Sequence, residues 1–319
     1  MIFNSSKEKF IFYSFPVALF SLIPFFLITG PFLSDLSISL ISLIFLIYCL
    51  KKKNFSYFKN KYFYIFLVFW SYLIFNSLIN NINFDSLKIS FFYFRYGVFV
   101  IAISTLLIVD DKFIKYFFYC IFICFLVLII DGFYQYFSGI NILGWELGGR
   151  PTSFFGEEKI LGSYLSRIWP IFFALSILMF NKKNNLFFLF ILIFILSEVL
   201  IFVSGDRTAF FYINLSAIFV ILLSQKLFKL RLIILIASVL LIVIISFINP
   251  TAKQRVIDYT LNQMIVEKET KKKHEKEGKY IFSMQHTHHY LTAYRMFLDN
   301  KILGVGVKNF RNFCNDEKY

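Results

Sequence analysis

Apolar residues run along this chain in long unbroken blocks, separated by short polar connections. Nine such blocks lie near 10–29, 32–50, 62–80, 91–109, 113–131, 161–180, 186–203, 208–224 and 231–249. Each approaches the ~20 residues that a helix needs to cross a ~30 Å hydrocarbon layer. None alternates polar and apolar positions as a lipid-exposed strand does. The pattern predicts an all-α chain: a polytopic transmembrane helical bundle of about nine spans over 1–249, then a polar region over 250–319. An outer loop over 132–160 is the other long connection. The first block follows Lys7 and Lys9 as in a signal peptide, but no small-residue cleavage site follows it. It therefore reads as a retained span.

Composition supports that reading. The chain is 58% hydrophobic and 16% charged, where soluble domains run about 45–50% and about 25%. Phe occurs 46 times, so no single Phe carries functional weight. The formal charge of +14 is spread over the connections, and no nucleic-acid-binding motif accompanies it. One alternating set of connections carries fourteen Lys or Arg, while the other short set carries Lys88, Arg150, Lys159 and Arg207. The positive-inside rule then puts the N-terminus in the cytoplasm and the tail from about 250 outside. In a bacterium with two membranes this means an inner-membrane protein with a periplasmic tail. Cys49, Cys120 and Cys124 lie in apolar blocks and read as packing residues, whereas Cys314 lies in the polar tail.

The tail holds "VEKETKKKHEKEGK" (266–279), which reads as a solvated helix face or loop. His286, His288 and His289 follow, with no Cys or carboxylate near enough in sequence to complete a metal set. "DNKILGVGVKNF" reads as a helix end, a Gly-rich turn and a new element. In the outer loop, Trp145 suits either an anchor at the membrane interface or a platform for a sugar ring.

Arginines concentrate at one level of this topology. Arg207 sits at the outer tip between the seventh and eighth blocks, and Arg150 sits in the outer loop. Arg95 and Arg167 lie about four and six residues into blocks that run inward from outside, or about 6–10 Å below the outer surface. Snorkelling accounts for the two at the edge. Ionisable residues deeper in a span usually face the bundle interior and mark a pathway or site. Glu198, about six residues from the outer end of its block, is placed to pair with one of them. "SGDRT" puts Asp206 at a helix N-cap with Arg207 in the first turn, and Pro151 suits a first helical position. Helix N-termini and arginine both favour phosphate. The pattern points to an anion site at the outer leaflet, for which a polyprenyl-linked sugar diphosphate is a natural ligand. A transporter is the rival class, but it calls for binding groups near the bilayer midplane.

"GGRPTSFFGEEKILGSYL" (148–165), "SGDRTAFF" (204–211) and "AYRMFLDNKILGVGVKNF" (293–310) resemble, in order and spacing, three signatures of the O-antigen ligase and polymerase superfamily. The resemblance covers about residues 60–319. It implies a GT-C-like glycosyltransferase of the bacterial inner membrane with a large periplasmic loop. Such an enzyme moves a glycan from undecaprenyl diphosphate to an acceptor hydroxyl, on lipid A–core in ligases or on another lipid-linked repeat in polymerases. Arg207 and Arg150 would hold the diphosphate, with Arg95 and Arg167 in support, and no metal or cofactor is implied. Family members continue past the Gly-rich turn into a segment with a catalytic His, whereas this chain stops at "FRNFCNDEKY". The general base is therefore expected beyond Tyr319, the truncated chain is expected to lack activity alone, and Cys314 is expected to have lost a disulfide partner there.

Overall fold

Each of the nine apolar blocks folds as a helix in the computed structural model, which describes residues 5–80, 84–110, 113–179, 186–223, 228–248, 250–266, 278–279 and 284–314. The helices are α1 (Ser6–Thr29), α2 (Pro31–Lys52), α3 (Lys61–Ile79), α4 (Phe84–Val109) and α5 (Phe113–Ser138). They continue as α6 (Leu161–Met179), α7 (Leu186–Val203), α8 (Arg207–Leu223) and α9 (Phe228–Ile248). Among the described residues, seven helices are long and apolar enough to cross a membrane, and α7 and α8 are shorter apolar helices. A helix satisfies its own backbone hydrogen bonds, which hydrocarbon cannot do for it. Side chains such as Ile108 and Phe247, each 86% exposed, face outward, as suits contact with lipid. The chain is compatible with a multi-pass membrane protein.

Local chemistry sets the helix ends. Asn60 Oδ1 accepts the Phe63 N–H at 2.8 Å and caps α3. Asp206 Oδ1 accepts the Ala209 N–H at 3.1 Å and caps α8, as expected for "SGDRT". Pro31 occupies the first position of α2, where its missing N–H costs nothing. The helix α5 runs to Ser138, seven residues past its expected end. Asp131 and Gln135 therefore belong to a helix, and the loop expected over 132–160 begins near Gly139. Pro151 is not a first helical position: it lies in an irregular segment before the short 3-10 turn Ser153–Phe155, and α6 starts only at Leu161.

Beyond α9, residues 251–264 form the helix α10, which contains a π-helical turn at Gln254–Asp258. Ile265–Val266 then pairs antiparallel with Gly278–Lys279. This two-stranded ribbon takes the ends of the charged stretch expected as helix face or loop, and 267–277 lies outside the described residues. The tail closes with α11 (Met284–Asp299), a Gly-rich turn and the single-turn α12 (Phe310–Phe313).

Two compact units cut across the sequence division at 249. The first takes Met1–Phe20, Ser34–Phe113 and Gln263–Tyr319, and the second takes Ser21–Leu33 and Ile114–Asn262. In the first, Ile41, Phe45 and Cys49 of α2 pack with Val98 and Ala102 of α4. Gly97 presses against the Phe66 ring so closely that no side chain fits there. In the second, Phe125 of α5, Trp169, Phe172 and Phe173 of α6, and Phe194 of α7 fill the core. Trp169 and Phe173 stack at 4.9 Å between ring centroids. Gly162 of α6 meets Asp206 and Ala209 at the start of α8: a Cβ there would lie 3.0 and 3.3 Å from their Cβ atoms. This small residue lets the two helices cross closely, and it fixes α8's N-terminus against α6.

Candidate anion site

The second unit gathers three arginines from three separate segments. The first segment is the loop after α5, and its shape is held from below. Gln135 Oε1 accepts the N–H groups of Thr152 and Ser153 at 2.8 and 2.7 Å. Its Nε2 donates to the carbonyls of Trp145 and Glu146 at 3.2 and 3.3 Å. One turn earlier, Asp131 accepts the Ser153 Oγ–H at 2.5 Å on one carboxyl oxygen and the Ile142 N–H at 2.9 Å on the other. Both side chains are fully buried. Ser153 is held at φ 51°, a conformation that costs a non-glycine residue free energy and persists only where its surroundings impose it. The loop is thus a fixed shelf, and Arg150 projects from it. Trp145 lies on the same shelf with its ring over Gly156, 3.3 Å from where a Cβ would stand. It remains 42% exposed.

The second segment is the tip between α7 and α8. Gly205 takes φ 63°, which turns the chain within two residues and delivers Asp206 to the N-cap and Arg207 to the first turn. The third segment is the π-helical turn of α10. Ala252 and Val256, one turn apart, pack on Val199, Phe202 and Val203 at the end of α7. That anchorage sets Arg255 across the other two segments. Its side-chain stem lies along Gly205, with Cδ 3.2 Å from where a Cβ would stand, and its Nη1 donates to the Gly149 carbonyl at 3.4 Å. Any side chain at Gly205 would displace it. Arg207 reaches the same helix, its Nη1 3.5 Å from Thr260 Oγ1.

The electrostatics are those of a site short of negative charge. Burial, with the neighbouring Arg255 charge, pushes the Arg150 guanidinium below the usual arginine range, and Asp206 offsets part of this. Arginine nonetheless stays protonated in proteins. Arg150 Nη2 donates to the Lys159 carbonyl at 3.2 Å, while its buried Nε has no hydrogen-bond partner. An orphaned buried donor costs ~1–3 kcal/mol.

No protein-family model, curated protein or solved structure matches the chain. The functional reading rests on this geometry and on the sequence.

Of the four arginines expected at the site, Arg150 feels the charge of Asp206, and Arg207, next to Asp206 in the chain, reaches Thr260 of α10. Arg95 belongs to the first unit, where its Nη2 pairs with Asp35 Oδ1 at 2.5 Å and its Nη1 donates to Ser39 Oγ at 3.1 Å. It also lies over the Tyr96 ring at 5.0 Å. Arg167 is exposed on α6, and the contacts that link the other arginines do not include it. Glu198 pairs with neither. It lies against Arg231 of α9, a residue that reads from the sequence as part of a cytoplasmic charge run but is 1% exposed.

Sequence reasoning missed Arg255, which stands in "NPTAKQRV" as one more basic residue after a span. Asp131 and Gln135 left a usable signal. Two polar residues four apart share a helix face, and here they immediately precede a Gly-rich loop.

Proposed function

We propose that this chain is a glycosyltransferase of the O-antigen ligase type. It works at the periplasmic face of a bacterial inner membrane with its N-terminus in the cytoplasm. Arg255, which bridges the loop of Arg150 and the tip that carries Arg207 beside the capped N-terminus of α8, carries the reading. Two linked phosphates present several oxygens within a few ångströms. Arginine forks from three directions, with a helix N-terminus, match such a group in shape and charge.

Undecaprenyl diphosphate bearing a glycan is the donor in this reading. The acceptor hydroxyl of lipid A–core attacks the sugar carbon that bears the diphosphate, and the bond from that carbon to the phosphate oxygen breaks. Negative charge grows on the leaving diphosphate, where fixed guanidinium groups stabilise it without reorganising. The hydroxyl proton passes to a general base, a role assigned to no residue of this chain. Trp145, half exposed on the Arg150 shelf, suits stacking on the glycan. The same arrangement serves a polymerase, whose acceptor is another lipid-linked repeat.

The replacement equivalent to Arg207→Ala, made in a full-length homologue, tests the reading by the banding of lipopolysaccharide on gels. A ligase gives lipid A–core without O-antigen, and a polymerase gives lipid A–core with single repeats. Undiminished long-chain banding contradicts both.

A further inference from the structure

The tail of the first unit docks into the side of α3 rather than ending above it. Tyr72 Oη and Asn76 Nδ2, one turn apart on α3, both donate to the Leu303 carbonyl. Ser86 Oγ donates to the Val307 carbonyl at 2.9 Å, and Asn309 Nδ2 donates to the Asn80 carbonyl at 3.1 Å. Gly306 fits only because it lacks a side chain, since a Cβ would stand 3.1 Å from that of Asn80. The helix α3 is about 28 Å long at ~1.5 Å per residue, matching the ~30 Å hydrocarbon layer. Asn76 precedes its last residue by one turn, so the Leu303 carbonyl lies about 5 Å inside the end of the span. The adjacent Ile302 is 89% exposed at that level.

The helix α11 ends three residues before Ile302, so its C-terminal end starts from the edge of the hydrocarbon layer. It carries a stripe. Tyr290, Leu291, Tyr294, Phe297 and Leu298 are each between 42% and 56% exposed. At ~100° per residue they occupy an arc of about 120°. Met296, on the far side of the helix, is 2% exposed and faces the protein. Basic residues flank the stripe: Arg295 and Lys301, and beyond the Gly-rich turn Lys308 and Arg311, are all exposed. An apolar and aromatic face beside cations is the composition of a helix that lies in the headgroup layer. Tyrosine in particular favours that layer.

We infer that α11 is a membrane-interface helix whose Tyr290–Leu298 stripe rests on the anionic lipid surface around the end of α3. The occupant of the stripe is lipid because Ile302 stands next to Leu303, whose carbonyl meets α3 one turn inside its end. Phe75 and Ile79 in that last stretch of α3 are themselves about half exposed. The inference does not depend on the proposed reaction.

Spin labels on the full chain, reconstituted in vesicles of mixed phosphatidylcholine and phosphatidylglycerol, test it. Single cysteines are introduced as Tyr294→Cys, Leu298→Cys and, away from the stripe, His288→Cys, in a Cys314→Ser background whose own signal is subtracted. The ratio of collisions with oxygen to collisions with a water-soluble nickel chelate is expected to be severalfold higher at 294 and 298 than at 288. The contrast should shrink in phosphatidylcholine alone. Equal, water-like ratios at all three positions overturn the inference. So does shielding of 294 and 298 from both reagents, which would mean that protein covers the stripe. All three side chains are exposed, so none of the labels should disturb folding.

Discussion

Replacing Glu198 with Ala is expected to destabilise the second unit by about 3–5 kcal/mol, the usual cost of leaving one member of a buried ion pair alone. Glu198 of α7 is 4% exposed and Arg231 of α9 is 1% exposed. One carboxyl oxygen accepts from Arg231 Nη1, and the other accepts the Ser238 Oγ–H at 2.7 Å. The guanidinium also lies over the Trp169 ring at 4.7 Å, a contact of up to about 2 kcal/mol when desolvated. The pair therefore ties α6, α7 and α9 together in a core that is otherwise largely apolar. Removing the carboxylate leaves a buried full charge without its partner. Loss of monodisperse protein on heating in detergent measures the effect. The double replacement Glu198→Met with Arg231→Met should recover most of the loss, because well-packed apolar residues substitute for such pairs at little cost. A single variant as stable as wild type would show that the pair does not hold these helices.

Gln135→Leu is expected to release the loop that carries Arg150 without unfolding the helices. The substitution keeps the apolar bulk but removes the acceptor for two buried N–H groups and the donor for two carbonyls. Each orphaned group costs ~1–3 kcal/mol, enough to free Ser153 from its strained backbone. Hydrogen exchange over 139–160 should rise by roughly two orders of magnitude for a loss near 3 kcal/mol, while exchange within α6 and α8 stays as it was. Gln135→Glu retains the acceptor for Thr152 and Ser153 but loses the donor to Trp145 and Glu146, and should keep only part of the protection. Asp131→Asn should act in the same direction, since Asp131 accepts from both Ser153 and Ile142. If Gln135→Leu leaves exchange unchanged, the shelf is held by other contacts.

How far the sequence told this story depends on what kind of signal each feature leaves. Nine helices were legible because an apolar run near span length has few other ways to bury its backbone. The cap at Asp206 was legible because capping is local chemistry within "SGDRT". Arg150 and Arg207 stood out as charges in connections that carry few others. Arg95 and Arg231 were misjudged for opposite reasons. Arg95 looks like spare charge until Asp35, sixty residues earlier, folds against it. Arg231 looks like solvated charge at the end of a basic run until Glu198 draws it into the core. Pairing between distant residues writes no pattern along the chain. Arg255 was invisible for a related reason: its role comes from a π-helical turn anchored on α7, and neither the turn nor its anchorage has a periodicity to read.

In the proposed function, Arg150, Arg207 and Arg255 form one site for a diphosphate. Calorimetric titration of the detergent-purified chain with inorganic diphosphate tests it most directly, because binding needs neither acceptor nor general base. The account predicts saturable binding that weakens about ten- to a hundredfold in Arg255→Ala, at ~1.5–3 kcal/mol for a lost charge-assisted hydrogen bond. Arg207→Ala should weaken it similarly, and Arg167→Ala should leave it unchanged. Wild-type affinity in Arg255→Ala, or no binding by the unaltered protein, would contradict it.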